Sequence, residues 1–389
     1  MADFEGTTTL SAPAIPGLTA AIRAAAAAAD DVDRQARFPI EAISAIKQAK
    51  LLSCGLPPEL GGRGYRVSEL AAIARALGAA CSAAGMVFAM HQTQALVLAK
   101  YARYGPAAEL ARTISANESL VASATTENTT GGDIGTSTCA IVTDGGMVRL
   151  NKDAPVISYA EHADYIGATA RRNPDAAKND QVLLMCPAAD TALERTSTWD
   201  TMGFRGTCSP GYRLAAYTSV ANVVPADYAS ILATTMLPAS HTLWAAVWLG
   251  IADAAYAKAR TAVRQAARKA PDKTVPQASL LADLTVTHQR FESMVLHEVR
   301  RYQALAESGA EEATISFTVA MNNLKIAAST AVIDVVTEAL KIVGLNGYRD
   351  DHPLTMGRLL RDAFGPQLMV SNERIRLNNA NLVLAYRGV

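Results

Sequence analysis

The chain has 389 residues, of which half are apolar and 19% are charged, and its 36 basic residues equal its 36 acidic residues in number. A chain of this length exceeds one ordinary hydrophobic core and predicts two or three packed units. The neutral charge balance gives no electrostatic indication of binding to nucleic acid or to an anionic membrane.

The first 120 residues predict a helical domain. The alanine-rich stretch 20–29 strongly favours helix. The segment 56–64 is dense in proline and glycine, which forbids regular helix and predicts a loop between helices. We therefore expect an N-terminal helical domain over residues 1–120.

The pattern changes near residue 121 to short apolar runs separated by turn residues. The first run spans 119–124, and the segment 139–150 predicts a hairpin around Asp144-Gly145-Gly146. Further runs follow at 163–168, 181–185 and 212–217. Several short strands of this kind predict a small central antiparallel β-barrel or sandwich over residues 121–230.

Helical periodicity returns from about residue 231. The segment 243–255 is apolar on nearly every side, and 278–301 alternates apolar and charged residues at helical spacing. The apolar stretch 323–343 predicts a long helix that ends at Gly344. Residues 231–389 thus predict a C-terminal four-helix bundle, and the whole chain predicts an α+β multidomain fold.

Cysteine usage and the N-terminus bear on the compartment. The five cysteines form no C-x-x-C pair, and their odd number argues against a disulfide framework or a structural zinc site. The first residues are acidic and lack the basic start and apolar run of a signal peptide. No apolar run approaches the roughly 20 residues that a membrane span needs. We expect a cytoplasmic protein without a metal site or a membrane span.

Four short segments are candidates for a binding site. Thr125-Thr126-Glu127 leaves the first strand for a loop of amides and hydroxyls, which can hydrogen-bond the polar edge of a flat ring but alone is more typical of an ordinary turn. Val156-Ile157-Ser158 ends a strand with a hydroxyl, and 203–209 holds one arginine between two glycines. Gly344 lets the backbone approach a ligand such as a phosphate, although one short glycine-containing loop is weak evidence.

Taken in order, these segments resemble the acyl-CoA dehydrogenase family. Thr126-Glu127 resembles its flavin-contacting loop, and Val156-Ile157-Ser158 resembles the strand whose terminal hydroxyl meets the flavin N5 region. Residues 57–64 resemble its N-terminal loop, 203–209 its glycine-arginine-glycine connection, and 338–363 its adenine-side loop with the following helix. The resemblance covers nearly the whole chain.

The resemblance implies an FAD-dependent oxidoreductase that forms a homotetramer or homodimer with one FAD per subunit. It also implies cofactor contacts from several parts of the chain. These are Thr126, Val156, Ile157 and Ser158 at the flavin ring; Asn372 and Arg374 near the adenosine; Arg264 or Arg268 as the cation for the pyrophosphate; and Lys341, Gly344 and Leu345 against the FAD of a neighbouring subunit. Arginine suits the pyrophosphate because its planar fork pairs with phosphate oxygens.

The position of the catalytic base departs from the family pattern. Dehydrogenation beside a thioester needs a base for the α-proton, and most members use a glutamate just before the last helix. The ungapped match places Val370 there, and valine cannot accept a proton. Some members carry the base on the first helix of the C-terminal unit, where Ser240 and His241 lie. The pKa of an ordinary histidine suits proton transfer near neutrality, but a core histidine with a satisfied hydrogen bond is the alternative for His241.

The substrate side departs as well. Gly132 stands where a serine often contacts the thioester, and Ser371 stands where a glycine is usual. We expect the flavin site to be kept and the substrate site to be altered. Trp244 and Trp248 lie one turn apart and either narrow a substrate tunnel or belong to the core, which we favour.

Three functions stay open. The first is an acyl-CoA or acyl-carrier-protein thioester dehydrogenase, in which His241 or another base removes the α-proton, flavin takes the hydride, and an electron-transfer flavoprotein or oxygen accepts the electrons. The second is a flavin-dependent monooxygenase of the same fold, which needs no such base. The third is a non-catalytic subunit that binds flavin or only completes an oligomer. The breadth of the family places the dehydrogenase narrowly first.

Overall fold

The computed structural model describes residues 15–130, 133–269, 273 and 275–386. Its N-terminal part is helical, as predicted: α1 (Leu18–Gln35), α2 (Ile40–Gln48), α3 (Val67–Ala80), α4 (Ser82–Tyr101) and α5 (Gly105–Ala116). Helix α1 buries Ala21, Ala25 and Val32, whose spacing places them on one helix face. The predicted loop contains only a single 3₁₀ turn, Pro58–Leu60.

Two sheets form the middle part. Their strands are β1 (Val121–Ala124), β2 (Val142–Asp144), β3 (Met147–Ala154), β4 (Tyr165–Arg171), β5 (Gln181–Pro187), β6 (Thr191–Arg195) and β7 (Tyr212–Ser219). One sheet has the order β1-β4-β5 and the other has the order β2-β3-β7-β6. The predicted hairpin joins β2 to β3, and its turn residues Gly145 and Gly146 have φ values of 56° and 83°.

One strand pair differs from the antiparallel prediction. Strand β1 pairs with β4 in parallel, with Val121 opposite Tyr165, whereas the other named pairs are antiparallel. Parallel neighbours need a long crossover, and here residues 125–164, with β2 and β3 inside them, supply it. Strand β6 was not predicted, because it is a largely exposed edge strand without an apolar run.

The C-terminal part is a helical bundle, as predicted. Its helices are α6 (Tyr228–Ile231), α7 (Leu237–Lys269), α8 (Gln277–Ser308), α9 (Ile315–Val343), α10 (Leu345–Tyr348), α11 (Gly357–Leu368) and α12 (Asn372–Ala385). A π-helical turn, Leu232–Met236, leads into α7. Helix α9 ends at Gly344, which has a φ of 66°. Helices α7, α8 and α9 pack on one another, and α11 and α12 pack on α9.

The N-terminal helices share a core with the bundle. A Cβ on Gly78 of α3 would lie 2.5 Å from the carbonyl oxygen of Val247 in α7, so only glycine permits this approach. Gly85 of α4 faces the same Val247 side chain. One continuous cluster of buried apolar residues therefore extends from α1 through the sheets to α11. The domain boundaries at 120 and 230 stay a prediction.

Two features are absent from the described residues, a helix able to span a membrane and a metal-binding cluster. No helix there is both long enough and apolar enough to cross a membrane. No cluster of histidine, cysteine, aspartate or glutamate side chains there could hold a metal ion. The five cysteines are free thiols.

Candidate functional site

A cavity of about 1040 Å³ lies where the ends of the strands meet α4, α7, α11 and α12. Small-molecule sites usually have volumes of about 300–1000 Å³, so this cavity has room for a flat cofactor together with a second molecule. Its lining divides into a hydroxyl-rich wall from strand ends and loops and an apolar wall from helices.

The hydroxyl wall carries two of the predicted flavin contacts. Thr126 follows β1 directly and Ser158 follows β3, and both line the cavity. The Ser209 hydroxyl donates to the Ser158 hydroxyl at 2.9 Å and contacts the Thr207 hydroxyl at 2.9 Å. No hydrogen-bond partner of the Thr126 hydroxyl occurs in the described part of the chain. These hydroxyls can donate and accept hydrogen bonds at the polar edge of a ligand.

A buried ion pair fixes the loop after Thr126. Glu127 accepts a hydrogen bond from Lys152 Nζ at 2.8 Å, and the side chains are 4% and 0% exposed. Burial raises the pKa of Glu127, but hydrogen bonds from Lys152, Ser137 and Thr138 outweigh it and hold the pKa well below its ordinary range. Glu127 thus ties both ends of the 128–138 loop, which supplies Asp133 to the cavity lining.

The 203–209 segment forms a tight loop against α11. Phe204 adopts a φ of 49°, and its N–H donates to the buried Asp362 carboxylate at 2.6 Å. A Cβ on Gly203 would lie 2.3 Å from the Arg361 carbonyl oxygen, so the glycine is required there. The Arg205 guanidinium donates to the carbonyls of Asp33 and Thr201 rather than facing the cavity. Arg205 therefore stabilises the loop through these hydrogen bonds.

The helical wall is mostly apolar, and α4, α7, α11 and α12 supply most of it. Its large side chains are Met86, Met90, Leu237, Trp244, Phe364, Leu368, Met369 and Leu377. The π-helical turn before α7 adds Leu232 and Met236. Trp244 therefore lines the cavity, against our core assignment, whereas Trp248 is fully buried.

His241 is buried in this wall, with 3% of its surface exposed. Its Nδ1 lies 3.1 Å from the Met321 carbonyl oxygen. A carbonyl can only accept, so Nδ1 carries the proton and Nε2 keeps its lone pair. Burial lowers the pKa of His241 to about 3, which makes the ring a weak proton acceptor. The neighbouring Ser240 hydroxyl lines the cavity and donates to the Leu237 carbonyl at 3.0 Å.

The linker before α12 is held by a lysine. Val370 lines the cavity with a φ of 49°, and its carbonyl accepts from Lys325 Nζ at 2.7 Å. Lys325 Nζ also donates to Asn372 Oδ1 at 2.7 Å, and Ser329 completes the network. Burial lowers the pKa of Lys325 to about 7. Asn372, predicted to lie near the adenosine, is instead buried in this network and does not line the cavity.

The other predicted contacts fall into four groups. Val156 and Arg374 line the cavity, whereas Ile157 is fully buried behind it and Ser371 lies outside its lining. Gly132 lies outside the described residues. The fourth group is exposed and remote from the cavity: Arg264, Arg268, Lys341, Gly344 and Leu345.

Helix length explains the remoteness of the arginines. Arg264 lies more than six turns beyond His241 on α7, which is roughly 35 Å at about 1.5 Å per residue. Lys341 pairs with Glu338 at 2.6 Å on the surface of α9. Contact of Arg264 or Arg268 with the pyrophosphate, and of Lys341 with the FAD of a neighbouring subunit, stays a prediction.

Two lysines escaped sequence reasoning although the pattern carried a signal for each. Lys152 lies an even number of residues from the buried Val148, Leu150 and Ala154. Because side chains of a strand repeat every two residues, Lys152 is expected on the same buried face. Lys325 is an isolated charge in the apolar helix α9. A single charge on a buried face needs a polar or charged partner, so each lysine predicts such a partner nearby.

The cavity offers no poised carboxylate. Among the described lining residues, Asp133 alone carries one. Its two oxygens accept from the Gly135 N–H at 2.9 Å and from the Thr136 hydroxyl at 3.0 Å, within its own turn. The described lining therefore provides no carboxylate that is free to act as a general base.

Family models and known proteins match most of the chain. Residues 19–115 match the model described as acyl-CoA dehydrogenase, N-terminal domain, and residues 233–370 match acyl-CoA dehydrogenase, C-terminal domain. The amino sugar nitrososynthase DnmZ of Streptomyces peucetius is 26% identical over 85% of this chain and 82% of its own length. A short-chain specific acyl-CoA dehydrogenase of Clostridium acetobutylicum is 22% identical over 86% and 87%, respectively.

Solved structures share the fold. The FMN-bound TdsC of Paenibacillus sp. A11-2, a dibenzothiophene monooxygenase, superposes with a TM-score of 0.82 at 18% identity, covering 96% of this chain and 98% of that one. At this identity, the similarity establishes the three-part architecture alone.

Proposed function

The chain belongs to the acyl-CoA dehydrogenase family, and from this premise we propose that it is a flavin-dependent monooxygenase of that fold. The observation that carries the proposal is the lack of a competent base among the described cavity residues. Val370 occupies the expected position of the glutamate, and His241 is a weak proton acceptor. Oxygen insertion, unlike desaturation, needs no α-proton to be removed.

Bound reduced flavin would supply two electrons, so that one atom of dioxygen enters the substrate and the other leaves as water. The residues of this chain would orient and shield the reactants. The hydroxyls of Thr126 and Ser158 would hydrogen-bond the ring edge, and the helical wall would exclude water from it. Exclusion of water protects reactive species from side reactions. The nitrososynthase and monooxygenase among the similar proteins support this reading.

Thioester dehydrogenation is the second candidate, because His241 Nε2 has a lone pair and the ring lines the cavity. The similar enzyme of Clostridium acetobutylicum favours it too. We rank it second because a histidine with a pKa near 3 is too weak a base to remove an α-proton efficiently at neutral pH. This reverses the order that family breadth alone suggested.

A stopped-flow experiment separates the two functions. Purified protein with bound oxidised flavin is mixed anaerobically with butyryl-CoA and octanoyl-CoA. We expect no bleaching of the flavin band, whereas oxygen-dependent turnover, with one atom of dioxygen recovered in an organic product, should occur when the flavin is supplied reduced. Rapid bleaching by a thioester, abolished in His241→Ala, would establish the dehydrogenase instead. A protein that takes up no flavin would point to the non-catalytic alternative.

The form of the cofactor needs its own test. We propose FAD in a homotetramer or homodimer, with the exposed Arg264 or Arg268 serving the pyrophosphate. Flavin titrations should then show tighter binding of FAD than of FMN, and Arg264→Ala with Arg268→Ala should remove the difference. Equal affinities in the parent protein would make FMN the better candidate.

A further inference from the structure

Methionine and tryptophan side chains are enriched in the cavity lining. Of its 11 methionines and 3 tryptophans, the lining includes Met86, Met90, Met202, Met236, Met369, Trp199 and Trp244. Thioether sulfurs make favourable contacts with aromatic rings, and flexible methionines adapt to flat surfaces. Aromatic side chains add stacking partners. The wall is therefore suited to a flat aromatic molecule.

The charges around the cavity are already occupied. Arg361 pairs through both terminal nitrogens with Asp33. Arg374 also has an interaction partner. Both Asp133 oxygens accept bonds within its own turn. A phosphate on a substrate would have to displace the present partners of these arginines to gain a counter-charge, and a buried charge without one is costly. The cavity therefore favours a neutral molecule over an anion.

The His241 ring offers a ligand a polar atom in the mostly apolar wall. The Nε2 atom of His241 accepts hydrogen bonds, since Nδ1 donates to the Met321 carbonyl. The Trp244 ring lies one turn further along α7, with its centroid 6.1 Å from that of His241. A ring stacked near Trp244 thus has an acceptor beside it that an N–H or O–H group can meet.

Taking the proposed monooxygenase function as the starting point, we propose that the substrate is a neutral, flat aromatic molecule whose N–H or O–H group donates to His241 Nε2. A saturated acyl chain would leave this acceptor buried without a partner. Leaving such an atom unsatisfied costs about 1–3 kcal/mol. The histidine acts here as a specificity residue rather than as a base.

Calorimetric titration of the flavin-loaded, oxidised protein tests the proposal without turnover. The probes are 2-naphthol, naphthalene and 2-decalol, which separate the hydroxyl from the flat ring. We expect 2-naphthol to bind at least about tenfold more tightly than either of the others, which corresponds to about 1.4 kcal/mol. Equal binding of 2-naphthol and naphthalene would overturn the hydrogen bond, and equal binding of 2-decalol would overturn the flat site.

Two variants assign the effect to a residue. His241→Phe should bring 2-naphthol down to the affinity of naphthalene. Trp248→Phe, which changes a fully buried indole one turn from Trp244 and outside the cavity lining, should leave the ratio unchanged. Retention of the naphthol preference in His241→Phe would overturn the assignment.

The parent protein gives a second measurement that needs no variant to fold. Because His241 stays neutral, the ratio of naphthol to naphthalene affinity should be constant from pH 5 to 8. A ratio that collapses below pH 6.5 would contradict a neutral acceptor. Since binding is measured without reduced flavin, absence of oxygen insertion would refute the proposed function and leave this test intact.

Discussion

At the scale of one residue, the backbone conformation of Val370 helps to shape the cavity. A β-branched residue with a φ of 49° is strained, and such strain persists only where surrounding contacts impose it. Here the Lys325 ammonium holds the Val370 carbonyl at 2.7 Å. The position that usually carries the base thus serves to shape the cavity wall.

Substitution at Val370 measures this strain. Glycine tolerates the left-handed region, whereas alanine keeps the Cβ that opposes it. We expect Val370→Gly to be more stable than Val370→Ala by about 1 kcal/mol, the reverse of the usual order. Urea denaturation of the two variants provides the comparison. Greater stability of the alanine variant would show that the turn relaxes without cost.

The pH dependence of stability reports on His241. Its folded pKa of about 3 lies below the value of about 6.5 for an unfolded histidine, so the unfolded state binds the extra proton between these values. The contribution of neutral His241 is complete above pH 6.5 and declines as the pH falls toward 3. Buried His91, with its pKa lowered to about 4, adds to the same slope.

We expect His241→Gln to flatten the fall in unfolding free energy between pH 6.5 and 4 by up to about 1.4 kcal/mol per pH unit. Denaturation at several pH values measures the slope. His352→Gln provides a partly exposed control that should keep the parental slope. An unchanged slope in His241→Gln would mean that the ring already takes up a proton in the folded state.

At the scale of elements, the conformation of the 128–138 loop is held by the ion pair between Glu127 and Lys152. Lys152→Met leaves the buried Glu127 carboxylate without a counter-charge, and such changes cost about 3–5 kcal/mol. Adding Glu127→Gln should recover much of the loss. Flavin affinity should fall in Lys152→Met, because the loop that follows Thr126 is released.

Chemical denaturation and flavin titration together check this prediction. Lys47→Met is the matched control, since its pair with Asp164 is 35% and 45% exposed and should change stability by less than about 1 kcal/mol. A Lys152→Met protein with parental flavin affinity would disconnect the ion pair from the site.

Elements with strong periodicity were predictable, and elements set by tertiary contacts were not. The helices α7 and α9 and the strands β5 and β7 follow from their apolar runs. The parallel pairing of β1 with β4 depends on a crossover of some forty residues, which local pattern does not encode. Among the cavity residues, Thr126 and Ser158 were expected from the resemblance, whereas the position of Trp244 in the lining required knowledge of which helix faces meet.

At the scale of the whole molecule, a charge network joins the N-terminal helices to the bundle. Arg75 of α3 contacts Asp253 of α7 at 2.6 Å and Glu292 of α8 at 2.6 Å. His288 also contacts Asp253 at 2.7 Å. Together with the continuous apolar core, this network couples parts that are separate in sequence.

We therefore expect one cooperative unfolding transition for the three parts. Arg75→Met should lower stability by about 2–4 kcal/mol, less than a fully buried pair would cost because these side chains keep some solvent contact. Scanning calorimetry should still show a single peak. Arg213→Met, at an exposed pair with Glu194, should leave the peak in place. Two resolved peaks in the parent protein would refute the coupling.

The crossover between β1 and β4 has a practical consequence for engineering. Thr126 lies near its start and Ser158 near its end, while the β2–β3 turn forms its far tip. Gly145 and Gly146 at that tip have open space where a side chain would project. A peptide tag or a fluorescent reporter inserted between these glycines would lengthen the excursion at its outermost point, and both anchoring ends would stay in register.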